Sequence, residues 1–359
     1  MKFILTLGLT LFSIFLQGQD NTQLHTEEIF ETIYNDGYFY HRVIKELTEP
    51  NRAETSHLVK TDDELNIIWS YDLNDDIYNS IINIQFDSDR IFMLTRHGKK
   101  SSINQRRDDF KLILLSKNKE EECVYIFDEA GSPHTKLLID ENFVIISYVS
   151  YLSTLKVVKL NLATSEFTKS ENYSFANINL FKILKVENAY YAVGSLQKDQ
   201  KYFSFMTEIM GTENASLDLE HSSAYISMAL QSKADNLFLT TVCNPYEFDD
   251  PSDRYFMITQ YSLTGKFISS KRINFKAVGW TKHWHSYNHG DQYWQVVEKE
   301  DGDNYLEHIN HRGKVIKSIR TGEKLGFMDD DAYAISDKYW FHFSKGANEN
   351  QVKTMSLLD

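Results

Sequence analysis

Asn35-Asp36-Gly37-Tyr38-Phe39 sets a short polar turn before two aromatic residues, and the same arrangement returns along the chain. The later copies are Asp87-Ser88-Asp89 before Ile91-Phe92, Asp140-Glu141-Asn142 before Phe143-Val144, and Glu187-Asn188 before Tyr190-Tyr191. Ala234-Asp235-Asn236 precedes Leu237-Phe238, Asn288-His289-Gly290-Asp291 precedes Tyr293-Trp294, and Ser336-Asp337-Lys338 precedes Tyr339-Trp340. These seven copies recur at roughly 50 residues, the period of a four-stranded propeller blade or a solenoid unit.

A second hairpin follows each first one. It is clearest in Leu58–Trp69, Ile258–Ile268 and Leu306–Ile316; the last two place Gly265 and Gly313 where a tight turn needs positive φ. Leu114–Phe127, Val157–Phe167 and Phe205–Leu217 hold the same place in the second, third and fourth repeats. Two hairpins make four strands, A to D, and β-branched and aromatic residues crowd them, as in Phe143-Val144-Ile145-Ile146 and Tyr190-Tyr191-Ala192-Val193. Helical spacing is scarce, and an aromatic content of 14% suits sheets stacked face to face. Four strands and two turns per unit favour the blade over the solenoid. The expected fold is therefore all-β, a seven-bladed β-propeller of four-stranded antiparallel blades forming one domain over residues 20–359.

The seventh repeat bears on closure. Its A strand is expected near Asp331–Ile335, its B strand at Tyr339–Phe343 and its C strand at Val352–Leu357, with no residues left for a D strand. The segment Asn21–Thr26 is available for that slot, so the ring is expected to be closed by an N-terminal strand.

Leu58, Lys60, Asp62, Asn66 and Trp69 fit a repeat that reads leucine, any residue, lysine, any residue, aspartate, then glycine-asparagine and a tryptophan. In this the chain resembles secreted bacterial β-propeller repeat proteins, with Leu65 standing where glycine is usual. The resemblance implies architecture and brings no active site. The Ser-x-Asp-x-Gly-x-Thr-Trp box, regular Trp-Asp ends and paired kelch glycines do not occur.

Met1-Lys2, the apolar run Phe3–Leu16 and Gln17-Gly18-Gln19 read as a secretory signal peptide over residues 1–19. No second apolar run has membrane length, so a secreted or periplasmic chain without a membrane span is expected. The net charge of -13 disfavours a nucleic-acid partner. Cys123 and Cys243 fall in the second and fifth repeats, far apart on a ring, and are expected as separate thiols. The chain is expected to be a monomer.

Long B–C connections occur at Glu46–His57, Arg96–Asp109 and Cys243–Arg254, where a rigid scaffold ordinarily carries function. The second carries Arg96, His97, Lys99, Lys100, Arg106 and Arg107, a basic stretch on an acidic protein that suits an anionic ligand, although exposed loop charge is ordinarily solvation. The densest chemical cluster is Trp280–His289. His283 and His285 share one strand face and form a metal or acid/base pair in outline, with Asp329 or Asp331 as third-ligand candidates; the alternative is channel-lining packing. Adjacent carboxylates such as Asp329-Asp330-Asp331 point to opposite strand faces, so no catalytic pair is assigned, and no cofactor motif is present. Two functions remain: a binding module for an extracellular protein or glycan, and a propeller hydrolase or lyase acting on an extracellular polysaccharide.

Overall fold

Each recurring polar turn closes a β-hairpin. A computed structural model describes residues 28–46, 54–73, 79–98, 108–127, 135–149, 154–174, 178–186, 188–198, 201–210, 216–218, 226–233, 236–243, 255–262, 266–274, 286–289, 292–298, 303–310, 314–321, 332–336, 338–345 and 350–357. In the first hairpin Asn35 pairs with Tyr38 across Asp36 and Gly37, whose φ angles are 51° and 83°. Aspartate and glycine are among the residues that adopt this left-handed backbone at least cost. Asp140 pairs with Phe143, Val186 with Ala189, Lys233 with Asn236 and His289 with Gln292 in the same two-residue manner. Asn288 and His289, expected within the turn, are instead the last two residues of a strand.

The strands follow in antiparallel groups. They are β1 (Glu28–Asn35), β2 (Tyr38–Glu46), β3 (Glu54–Thr61) and β4 (Ile67–Asp72), then β5 (Asn79–Phe86), β6 (Arg90–Gly98), β7 (Asp108–Ser116) and β8 (Glu121–Phe127). The third group is β9 (Lys136–Asp140), β10 (Phe143–Val149), β11 (Thr154–Asn161) and β12 (Glu166–Ser174); the fourth is β13 (Ile178–Val186), β14 (Ala189–Lys198), β15 (Lys201–Ile209) and β16 (Ser216–Asp218). β17 (Ile226–Lys233), β18 (Asn236–Cys243), β19 (Tyr255–Ser262) and β20 (Phe267–Asn274) precede β21 (Ser286–His289), β22 (Gln292–Glu298), β23 (Asn304–Ile309) and β24 (Val315–Arg320). The last group is β25 (Ala332–Ile335), β26 (Tyr339–Lys345) and β27 (Asn350–Ser356). β3 and β5 meet at one parallel pair, Thr55 with Asn79.

The turns between third and fourth strands share one chemistry in the first, second, fifth and sixth groups. Asp62 Oδ1 accepts the Asn66 N–H at 2.8 Å, Ser116 Oγ that of Glu120 at 3.1 Å, Ser262 Oγ that of Lys266 at 3.1 Å and Asn310 Oδ1 that of Lys314 at 3.0 Å. A short polar side chain thus satisfies a turn N–H four residues on. The residue before the capped N–H is Leu65 at φ 63° and Lys119 at φ 77°. In the fifth and sixth groups that place belongs to Gly265 and Gly313.

Side-chain alternation explains the packing. The β10 run Phe143–Val149 is apolar almost throughout because both of its faces are covered. Val144, Ile146 and Tyr148 join Phe92, Leu94, Phe110, Leu112 and Leu114 of β6 and β7, whereas Ile145 and Val149 join Ile178, Leu180, Ile183 and Phe205 of β13 and β15. First strands of successive groups lie against each other at β9/β13, β13/β17 and β17/β21. These groups belong to a larger compact unit drawn from residues 82–326.

A smaller unit is drawn from residues 1–81 and 327–359. In it β1 lies against β25, and Phe39 meets Phe341 and Phe343 edge-on at 4.6 and 5.3 Å. Ile29, Val43, Val59, Leu65 and Ala334 complete this core. Each fully buried large apolar side chain contributes about 1.5–3 kcal/mol of transfer free energy. The signal segment 1–19 and the closing segment 21–26 lie outside the described residues. Cys123 is a free, half-buried thiol on β8.

Candidate functional site

Within each group the register puts the long connection at the end where the second strand leads into the third. β2 runs to Glu46 and β3 starts at Glu54; β6 runs to Gly98 and β7 starts at Asp108; β18 ends at Cys243 and β19 starts at Tyr255. The connections are thus 47–53, 99–107 and 244–254, each between second and third strands. Two are shorter than the sequence suggests, because pairing continues into the expected loops. Arg96 lies opposite Phe110 and His97 opposite Asp109, so both are strand residues. Lys99, Lys100, Arg106 and Arg107 lie outside the described residues, as do His283 and His285; β21 begins just after them, at Ser286.

Arg96 lies on β6, opposite Phe110 of β7. It shares a strand face with the buried Phe92 and Leu94, and Phe110, its partner across the pair, meets the Tyr148 ring of β10 at 6.2 Å. Tyr148 pairs in turn with Lys156 of β11, and burial pushes its phenol pKa up, keeping it neutral. Arg96 and Lys156 thus lie opposite Phe110 and Tyr148 in their strand pairs, one cation on each of two sheets. On the other face of β6, Thr95 Oγ1 and His97 Nε2 are 2.7 Å apart, which makes the buried His97 part of the scaffold.

In the smaller unit the same ends of β3 and β4 carry a pair that sequence reading missed. His57 Nδ1 lies 2.5 Å from Asp72 Oδ1, with side-chain exposures of 16% and 54%. A carboxylate on one ring nitrogen sets the tautomer and aims the other, the arrangement used by general bases and by metal-ligating histidines. Counting out from the Asp62–Asn66 turn would have put His57 opposite Tyr71; a register shift between Lys60 and Thr61 brings Asp72 opposite it instead. Close by, Arg42 Nη2 donates to Ser80 Oγ at 3.0 Å and Asn79 Nδ2 donates to the Leu73 carbonyl at 2.6 Å. No group of three or more His, Cys, Asp or Glu side chains suited to a metal occurs among the described residues.

At the opposite, tight-turn end of the larger unit, Lys185 Nζ donates to Asp140 Oδ1 at 2.8 Å and the Tyr190 hydroxyl donates to Asp140 Oδ2. Burial alone would raise the Asp140 carboxyl; the two donors outweigh it and hold its pKa below the ordinary value. Burial and the same carboxylate push Tyr190 up to about 12. With all three groups mutually engaged, the cluster clasps the third and fourth sheets.

No protein-family model and no curated protein sequence matches this chain. Solved structures do. The polysaccharide lyase Uly1 aligns with a TM-score of 0.54 at 9% identity, covering 92% of this chain and 90% of its own. The β-propeller domain of the Trilobed protease from Pyrococcus furiosus, which has an open velcro topology, aligns at 0.54 and 8% identity, covering 93% and 98%. A prolyl endopeptidase aligns at 0.51 and 11% identity over 96% of this chain, which spans about half, 52%, of that enzyme's length. At such identities the likeness defines the fold alone, and that fold is a β-propeller. Among the described residues no helix is long and apolar enough to cross a membrane.

Proposed function

We propose that the chain is an exported, seven-bladed propeller, closed by residues 21–26 beside β27, that binds an extracellular protein or glycan through the loop-rich end of the larger unit, which bears 99–107 and 244–254. The observation that supports this reading most is the pairing of Gly98 with Asp108. It roots Lys99, Lys100, Arg106 and Arg107 within two residues of one strand pair, beside Arg96. An anionic partner meets these cations there, on a protein whose net charge is -13. The test uses residues 20–359 on a glycan array and in pull-downs, against a variant lacking 99–107 and against the Arg96→Glu, Lys156→Glu pair. Both variants should bind at least tenfold more weakly with unchanged circular dichroism; unaltered binding refutes the site.

The His57–Asp72 pair favours a second reading, an enzyme acting on an extracellular polysaccharide. Depolymerisation by the parent chain that is lost in His57→Ala selects that reading, and a parent inert on acidic and neutral polysaccharides removes it.

A further inference from the structure

We propose that the buried Thr32–His41–Thr61 bridge is an acid-sensitive latch that holds the first sheet of the smaller unit to the last. His41 of β2 is fully buried, with Nδ1 2.9 Å from Thr32 Oγ1 of β1 and Nε2 2.9 Å from Thr61 Oγ1 of β3. One ring nitrogen accepts a hydroxyl hydrogen and the other donates, a division that only the neutral imidazole supplies. Phe343 of β26 stands edge-on to the ring at 5.2 Å, and Phe39 lies 5.9 Å away. The strand carrying the latch is thus the one that receives Phe341 and Phe343 from the end of the chain.

Protonation breaks this arrangement in two ways. Both nitrogens become donors, so one hydroxyl must turn from donor to acceptor, and a charge appears against two phenyl rings with no carboxylate on the imidazole. The titratable groups on the faces packed around it are Tyr34 of β1 and the His57–Asp72 pair of β3 and β4. Asp72 is already taken by His57, and none of the three bonds to His41. From β25, β26 and β27 the shared core contributes Ala334, Phe341, Phe343 and Val352, and the titratable side chain on that face of β26 is Tyr339, whose ring lies 6.1 Å from Phe341.

Burial lowers the His41 pKa to about 3, whereas a solvated imidazole titrates near 6.5. Between those values the opened joint binds a proton that the closed joint refuses. The latch is therefore intact above about pH 6.5 and weakens progressively as pH falls toward 3. The experiment is hydrogen exchange on the full chain at pH 7.5 and 5.0, corrected for intrinsic exchange. Amides of 39–43, 59–61 and 340–343 should lose protection at least tenfold more than those of 144–149 and 192–193. His41→Gln, which both donates and accepts without titrating, should abolish the difference, and His57→Gln should retain it. Uniform loss, no loss, or an acid response that survives in His41→Gln or vanishes in His57→Gln overturns the proposal. If His41→Gln fails to fold, the parent and His57→Gln decide by the same criterion.

Discussion

Leu65 shows how a single residue carries two opposing demands. Its backbone sits at φ 63°, where a side chain costs about 1–2 kcal/mol, yet the side chain is 5% exposed within the core shared by the first and last sheets. Deleting a buried leucine side chain costs about 2–5 kcal/mol, so burial wins over strain. Lys119 occupies the same turn position in the second sheet at φ 77° with its side chain exposed. Two glycine substitutions should therefore have opposite signs in urea unfolding. Lys119→Gly stabilises by about 1 kcal/mol by releasing strain alone, and Leu65→Gly destabilises by about 2 kcal/mol. Destabilisation by Lys119→Gly of the size found for Leu65→Gly would mean that turn strain is not what separates the positions.

At the scale of elements, the joints between sheets combine broad apolar contact with a few polar ties. Gln85 of β5 donates its side-chain amide to the Leu137 carbonyl of β9, and Asp140 ties β9 to β13 and β14. Removing the charge with Asp140→Asn should cost about 1–3 kcal/mol, as for other hydrogen bonds to charged groups. Because the folded pKa of Asp140 is depressed, its contribution is complete above the unfolded carboxylate value and fades as pH falls through the folded one. Parent and Asp140→Asn stabilities should accordingly converge below about pH 4. A constant gap from pH 7 to 3 would show that the loss is one of packing.

For the whole molecule, the decisive matter is how the two chain ends are held. β1 and β25 lie together in the smaller unit, and the last group holds three described strands. If residues 21–26 add the fourth beside β27, deleting residues 20–27 and deleting 353–359 should each lower the melting temperature markedly. Both deletions remove the same interface, so the double truncation should cost far less than the sum. Additive losses would place the N-terminal segment elsewhere.

The spacing of the hairpins and the chemistry of their turns are dictated by residues close together in the chain. Asp36-Gly37, the caps Asp62, Ser116, Ser262 and Asn310, and the apolar run of β10 act within a few residues of themselves, so periodicity and turn chemistry reveal them. The basic stretch around Arg96 was legible for the same reason, although its strand-borne beginning was not: loop and strand end differ only in whether a neighbour such as Phe110 is there to pair. Which groups meet across sheets was decided by tertiary structure alone. Nothing local in Phe343 marks it as the ring edge-on to His41, and nothing near Tyr148 marks it as the neighbour of Phe110. Such contacts depend on which sheet faces are pressed together, and a repeating pattern offers every sheet nearly the same faces.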